Sequence, residues 1–256
     1  MINHIEPYYG KEERKAMEKY LKSGGFLTEH GVTEEFEKML AEFLSVPHVS
    51  CVPSGTVALY LSLLASGIGK GDKVLVPDLT MIATANAVRM TGAEPILVDI
   101  DPFSFCLDLH SIKDEAKAMI YVDLNGRSGN MKEVKKYCQE HNIVLIEDAC
   151  QALGSKHKEK YLGTFGRFGC FSLGFHKIIT TGQGGFIVSH TKQDYKAIER
   201  LKDFGRIKGG NDIHDFIGFN FKFTDLQAVI GIEQLKTIEW RIEKKRQLYK
   251  WYFDEE

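Results

Sequence analysis

Short apolar runs alternate with amphipathic stretches of helical period along most of this chain, and that alternation constrains the fold more than any other feature. A parallel strand pair needs a crossover long enough to hold a helix, so repeated strand–helix units build a mainly parallel sheet covered on both faces. The expected strands are Val49 to Val52, Lys73 to Val76, Glu94 to Val98, Met119 to Val122, Ile143 to Ile146, Cys170 to Leu173 and Gly185 to Val188. Helices are expected at Glu12 to Lys22, at Glu34 to Leu44 behind a Thr33 cap, at Thr56 to Ser66 and at Met81 to Met90. From Thr224 the pattern becomes one long helix with apolar Leu226, Ile230, Leu235 and Ile238, turning highly charged at WRIEKKRQ. The fold class is therefore α/β, with a sheet domain over residues 1–223. Residues 224–256 are expected to open a second domain that is otherwise absent, leaving their helix nothing to pack against.

Composition removes several function classes. A formal net charge of −2 leaves no electrostatic footprint for nucleic acid or an anionic membrane surface. Cys51, Cys106, Cys138, Cys150 and Cys170 are odd in number, scattered and never in a C-x-x-C pair. That pattern suits small buried hydrophobes in a reducing compartment better than a disulfide or zinc framework. The N-terminus lacks the basic and apolar segments of a signal peptide, and no apolar run is long enough to span a membrane. The expected location is the cytoplasm.

The chemistry lies in the loops. The strand ending at Ile146 delivers the acids Glu147 and Asp148 to its carboxyl end, where open α/β sheets place ligand-binding groups. Further on, Lys177 follows Phe175, precedes Ile178 and Ile179, and is trailed by the glycine-rich TTGQGG. An amine held among apolar side chains loses hydration of its ammonium form and becomes a nucleophile toward an aldehyde. An acid against a pyridine nitrogen is the complementary part, since it keeps the ring an electron acceptor. Together these segments read as a pocket for pyridoxal phosphate. The turn carrying Ser54, Gly55 and Thr56 opens a helix and so offers free amides and hydroxyls to a phosphate. By itself it is also an ordinary helix cap. Asp148 and Gln151 lie one helical turn apart and could address a ring nitrogen and a phenolic oxygen together; acids at strand ends are also common caps. Ser172 could reach the same phosphate as Thr56 or simply bond its strand neighbours. His176 fits a substrate contact or a packed imidazole, and no histidine has the spacing of a metal ligand. TTGQGG matches neither G-x-G-x-x-G nor a Walker A loop.

Taken in order, SGTVAL, VPDLTMIATANAV, GAEPILVDIDP, IEDACQALGS, GTFGRFGCFS, the lysine before TTGQGG and GFNFKFTDLQAVIGIEQL resemble the DegT/DnrJ/EryC1/StrS nucleotide-sugar aminotransferases. That resemblance runs from about Glu12 to Arg246 and implies the fold type I architecture of aspartate aminotransferase. It implies that Lys177 bonds the cofactor aldehyde, Asp148 pairs with the pyridine nitrogen and Gln151 contacts the phenolic oxygen. It gives Gly55, Thr56 and Ser172 to the phosphate, and Asn220 to the phosphate of a neighbouring subunit, hence a homodimer with shared sites. Met81 stands where the family often stacks an aromatic residue on the ring, and Lys222 stands where an arginine is frequent. Family members usually continue for another hundred residues or so in a small domain that closes over the substrate. The activity implied is transfer of an amino group, from glutamate, to a keto carbon of a nucleotide-linked deoxysugar. The alternatives are a truncated, non-catalytic binder of the cofactor or of a nucleotide sugar, and a sugar dehydratase, whose family members replace the lysine by histidine.

Overall fold

The computed structural model of the chain describes residues 6–207 and 212–254. In chain order the elements are α1 (Lys11–Lys22), α2 (Gly31–Leu44), β1 (His48–Val52), α3 (Gly55–Ala65), β2 (Lys73–Pro77), α4 (Ala83–Met90), β3 (Glu94–Val98), β4 (Ala118–Val122), α5 (Met131–Glu140) and β5 (Val144–Asp148). They continue with β6 (Lys156–His157), β7 (Lys160–Tyr161), β8 (Phe168–Ser172), β9 (Gly185–Ser189), α6 (Lys192–Lys202), α7 (Asp225–Lys236) and α8 (Ile238–Asp254).

Seven strands form one sheet in the order β1-β9-β8-β5-β4-β2-β3, in which β9 alone runs antiparallel to its neighbours. The expected α/β architecture is the one observed. Because successive side chains leave a strand on opposite faces, Phe168 and Cys170 enter one core while Phe171 enters the other. One core joins Phe36 and Leu40 of α2 to Tyr121, Phe171 and Phe186; the second joins Leu59 and Leu61 of α3 to Ile146, Phe168 and Ile187. Each such side chain taken from water contributes roughly 1.5–3 kcal/mol, which makes the central strands the most firmly held part of the molecule.

The differences from the sequence reading have local causes. α2 starts at Gly31, three residues before the expected Glu34, so Thr33 is not its cap. The Asp225 carboxylate at the head of α7 accepts the His30 N–H at 2.8 Å, the Thr33 N–H at 2.9 Å and the Thr33 hydroxyl at 2.7 Å. The helix start is thus capped from almost two hundred residues away, which sequence periodicity cannot register. α4 starts at Ala83 rather than Met81. The single long helix expected from Thr224 is two, broken at Thr237, whose hydroxyl turns back to the Gln234 carbonyl at 3.0 Å. Nor does the first of them lack a partner: α7 packs against α1 and α2, with Gly231 so close to the Phe36 ring that a Cβ there would come within 2.5 Å. Helices α5 and α6 and the β6–β7 hairpin add to the expected elements.

A buried ionic cluster ties these layers together. Lys202 is 1% exposed, and its Nζ lies 3.1 Å from Glu29, 3.5 Å from Glu37, 3.3 Å from Glu199 and 3.0 Å from the Cys51 carbonyl. One ammonium serves three carboxylates, so Glu37, pushed up by burial against the pull of Lys202, reaches about 7.

Candidate active site

All the parallel strands end at one rim of the sheet, and the loops leaving that rim carry most of the residues singled out by the sequence. Ser54 leaves β1 in an extended conformation, and its Oγ accepts the Val57 N–H at 3.2 Å. Ser54 is therefore the cap of α3, while the amides of Gly55 and Thr56 belong to a first turn that has no intrahelical acceptors. A Cβ on Gly55 would meet Cys150 Sγ at 2.6 Å and Ser172 Cβ at 3.1 Å. Only glycine lets the loops after β1, β5 and β8 close on one another there. From the other side β9 presses in, since a Cβ on Gly185 would lie 2.7 Å from the Gly55 nitrogen.

Asp148, 6% exposed, ends β5 with both oxygens engaged: Oδ2 accepts the Thr84 hydroxyl at 2.8 Å and Oδ1 the Cys150 N–H at 3.2 Å. Thr84 accepts in turn from Thr80 at 2.8 Å, so a relay of two hydroxyls from the α4 region orients the carboxylate. Sequence reasoning missed this pair, although both threonines stand in VPDLTMIATANAV; Thr80 precedes α4 and Thr84 lies in its first turn, so no helical period links them.

The acid pair expected at the strand end is split by the pleat. Glu147 is fully buried on the opposite side, where its carboxylate accepts the N–H groups of Gly163, Phe165 and Gly166 at 3.0, 2.5 and 2.6 Å. Burial pushes its carboxyl up to about 7 against the pull of those three amides, and its part is to hold the loop before β8. One strand over, Asp123 is wholly buried with neither carboxyl oxygen hydrogen-bonded. Burial first, then the charges of Glu147 and Asp148, push this acid far above the carboxylate range. Asp123 is a buried neighbour of Asp148 that local periodicity could not anticipate.

A cleft of about 1230 Å³ opens over this rim. Lys177, half-buried, lines it together with Cys150, Gln151, Ser172 and His176, and α8 forms the far wall through Ile242 and Tyr249. Gln151 sits exposed at the mouth, its Oε1 accepting the Asn125 N–H at 2.9 Å. Ser172 Oγ accepts the Gly174 N–H at 3.3 Å, and the Lys177 N–H bonds the Gly174 carbonyl at 3.0 Å, so a tight turn delivers the lysine. The apolar enclosure expected around it is built on one side only: Ile179 is fully buried, whereas Phe175 turns outward at 50% exposure. Partial burial and the charge of Lys177 push the His176 imidazole down. The TTGQGG turn is anchored from α7, where Gln227 Nε2 donates to the Gln183 carbonyl at 2.6 Å and Gln234 Oε1 accepts the Thr180 N–H at 3.2 Å.

Of the singled-out residues, Gln151, Ser172 and Lys177 line the cleft; Gly55, Thr56 and Asp148 lie outside its lining, and so within one chain do Met81 and Asn220. Met81 is 60% exposed, its sulfur accepting the Ala83 N–H at 3.3 Å. Asn220 is exposed beside Asp203, whose carboxylate pairs with Lys222 at 2.8 Å. Among the described residues, no cluster of His, Cys, Asp and Glu could hold a metal ion, and no helix is long and apolar enough to cross a membrane.

The chain is similar in sequence and fold to known proteins. The chain is 36% identical over 247 residues to the GDP-perosamine synthase of Escherichia coli O157:H7, covering 95% of this chain and 68% of that one. It is 35% identical over 231 residues to the putative pyridoxal phosphate-dependent aminotransferase EpsN of Bacillus subtilis, covering 86% of this chain and 60% of that one. Among solved structures, an aminotransferase from Psychrobacter cryohalolentis superposes with a TM-score of 0.85 at 30% identity, covering 91% of this chain and 63% of that one. An E. coli GDP-4-keto-6-deoxy-D-mannose-3-dehydratase with bound hydrated PLP superposes with a TM-score of 0.90 at 26% identity, over 99% of this chain and 72% of that one. The chain thus spans some two thirds of the length of the proteins it matches. A family model matches residues 7–255, and with the fold, the cleft and these relatives it leads to one assignment: the chain belongs to the DegT/DnrJ/EryC1/StrS aminotransferase family.

Proposed function

We propose that this chain binds pyridoxal phosphate and serves the transfer of an amino group from an amino acid, glutamate in our reading, to a keto carbon of a nucleotide-linked deoxysugar. The observation that carries the reading is the convergence of Gly55, Cys150 and Ser172 at the sheet rim, with Asp148 held behind them and Lys177 in the same cleft. The residues fit the cofactor. A glycine cradle and a helix start suit its phosphate, and an acid fixed by two donors suits its ring nitrogen. The named relatives support the substrate class, being GDP-perosamine synthases in E. coli and Vibrio cholerae and a UDP-4-amino-4,6-dideoxy-N-acetyl-beta-L-altrosamine transaminase in Campylobacter jejuni.

When bound, pyridoxal phosphate supplies a ring that accepts electrons from the carbon being deprotonated. The chain supplies the rest. The Gly55 and Thr56 amides and the Ser172 hydroxyl hold the phosphate; Asp148, kept in one orientation by Thr84 and Cys150, holds a proton on the ring nitrogen. Gln151 would orient the phenolic oxygen, and Met81, on the loop after β2, would offer its thioether to the ring. Lys177 Nζ takes the proton from the donor's α-carbon and, in the second half of the cycle, returns one to the sugar carbon. Asn220 serves the phosphate of a second copy, so the working form is a homodimer with shared sites.

The test is direct. Protein loaded with pyridoxal phosphate should show a visible absorbance band that borohydride fixes to Lys177, and glutamate should bleach it. A GDP-linked 4-keto-6-deoxysugar should then appear as its amino derivative by mass spectrometry. Loading without bleaching by any amino acid rejects the transferase reading and leaves a binder. Lys177 stands where a dehydratase would carry its histidine, with His176 one position early in the same cleft, and loss of water from the keto sugar in place of amination would establish the dehydratase reading instead.

A further inference from the structure

A second cleft, of about 1090 Å³, lies at the opposite edge of the sheet. It is bounded by the C-terminal end of α2, by α5, by the β6–β7 hairpin and by His190, which follows the end of β9. That edge is where the parallel strands begin, since Ser189 pairs with Phe168 at the start of β8 and with His48 at the start of β1. None of the residues assigned to the catalytic cleft in the reading above reaches it.

Its lining is strongly one-signed. Lys132, Lys135, Lys156, Lys158 and Lys160 all line it, and among the described residues none of them has an ion-pair partner within 4.0 Å; Lys136, also there, is engaged by Glu140 at 3.6 Å. The neighbouring acids are hydrogen-bonded or paired to other groups, although the charge of Glu147 still acts on Lys160. Glu147 faces three backbone amides behind Phe165, and Asp194 is held by Arg167 at 2.6 Å. Glu159, at the tip of the hairpin, is the lining carboxylate. The crowding is felt by the groups themselves: burial and then the charge of Lys135 push the Lys160 ammonium down, and burial, Lys160 and Lys135 push the His190 imidazole down. A chain with a formal net charge of −2 has no general reason to gather so many unpaired cations in one concavity.

The floor is aromatic as well as basic. Lys160 Nζ lies 4.6 Å from the centre of the Phe165 ring, Lys156 Nζ lies 4.5 Å from that of Tyr161, and Tyr161 packs on Phe43 at 5.1 Å. Ammonium groups resting on ring faces are held in place yet keep donors free for an incoming anion. We propose that this cleft binds a phosphate-bearing small molecule, its phosphate between Lys135, Lys160 and His190 and its organic part along Phe165 and Tyr161. The lysines gather in a concavity of ligand size on a chain of near-zero net charge, which favours a compact di- or polyphosphate over an extended nucleic acid or acidic polymer. The site bears on the catalytic cleft through one element. Lys156 and Tyr161 of the hairpin line both cavities, so an occupant of the basic cleft touches the wall of the other.

Pyrophosphate and GDP are suitable probes, titrated by calorimetry into the full chain at low and at higher salt. Each should bind the wild type with an affinity that falls as salt rises. Lys135→Gln with Lys160→Gln should weaken both by roughly tenfold or more, the loss of charge-assisted contacts. Both side chains lie at the surface, and an unchanged thermal melt without ligand establishes that this variant folds. Lys177→Ala should leave pyrophosphate binding at the basic cleft as it is, which separates this proposal from the assignment of the catalytic cleft. Failure of both probes to bind, or unchanged affinity in the folded double variant, overturns the proposal. A single-stranded oligonucleotide that binds this cleft more tightly than either probe overturns the small-molecule assignment.

Discussion

The Thr84 hydroxyl donates a 2.8 Å hydrogen bond to Asp148 Oδ2, joining the first turns of α4 to the end of β5 beneath the catalytic cleft. Both partners are buried, so the carboxylate cannot swing without breaking it. Thr84→Val keeps the shape and deletes the donor, leaving a buried oxygen short of a partner at a cost of about 1–3 kcal/mol. Chemical denaturation should register that loss, and pyridoxal phosphate should bind more weakly. Equal affinity in the folded variant would remove Thr84 from any positioning part.

Gly55 tests the cradle. Gly55→Ala puts a methyl 2.6 Å from Cys150 Sγ and 3.1 Å from Ser172 Cβ, and overpacking of this kind costs typically ~1–3 kcal/mol. Adding Cys150→Ala removes the closer clash and should recover part of the stability and part of the cofactor affinity. A single variant as stable as the wild type would show that the three loops do not close as described.

Lys177 and Asp148 separate bonding from electrostatics. Lys177→Ala should abolish the borohydride-reducible adduct, as mass mapping of the reduced protein would show. Asp148→Asn should still load cofactor but slow the glutamate half-reaction by roughly 10²- to 10³-fold, measured by stopped-flow absorbance, because an amide cannot stabilise the charge on the ring nitrogen.

The Lys202 cluster predicts a large stability effect far from the chemistry. Lys202→Met leaves Glu29, Glu37 and Glu199 without their shared cation, and breaking a buried pair from one side costs about 3–5 kcal/mol. Urea unfolding of this variant would measure it, and a loss below about 1 kcal/mol is incompatible with the burial described.

The same cluster sets a pH dependence. The folded Glu37 carboxyl titrates at about 7, above its ordinary 4.5, so the folded state holds a proton there that the unfolded chain has already released. The stability tied to that proton is complete below about 4.5, declines as pH rises toward 7, and is gone above it. Glu147 contributes in the same direction over the same window. Glu37→Gln should therefore flatten the decline between about pH 5 and 7 in denaturant midpoints. A slope identical to the wild type would place the titration elsewhere.

The sheet and the order of the loops around it were legible in the sequence because they rest on local periodicity. Apolar runs such as Ala118–Val122 are buried on both faces and read as parallel strands whatever surrounds them. The helix opening after Gly55, the strand that delivers Asp148 and the turn bearing Lys177 followed from the same local rules, to within one or two residues at their ends. Boundaries and partnerships did not. α2 begins where Asp225 caps it, and the helix after Thr224 breaks at Thr237 and docks on α1 and α2, because contacts distant in the chain outweigh periodicity. The sequence by itself thus determined the α/β class and which loops would gather at one rim. Only the tertiary structure decided that Asp148 faces Thr84 while Glu147 clamps the loop before β8, and that Asp123 lies unpaired beside them. The pleat sends adjacent side chains to opposite faces, and burial pushes up the carboxyl that it leaves without a partner.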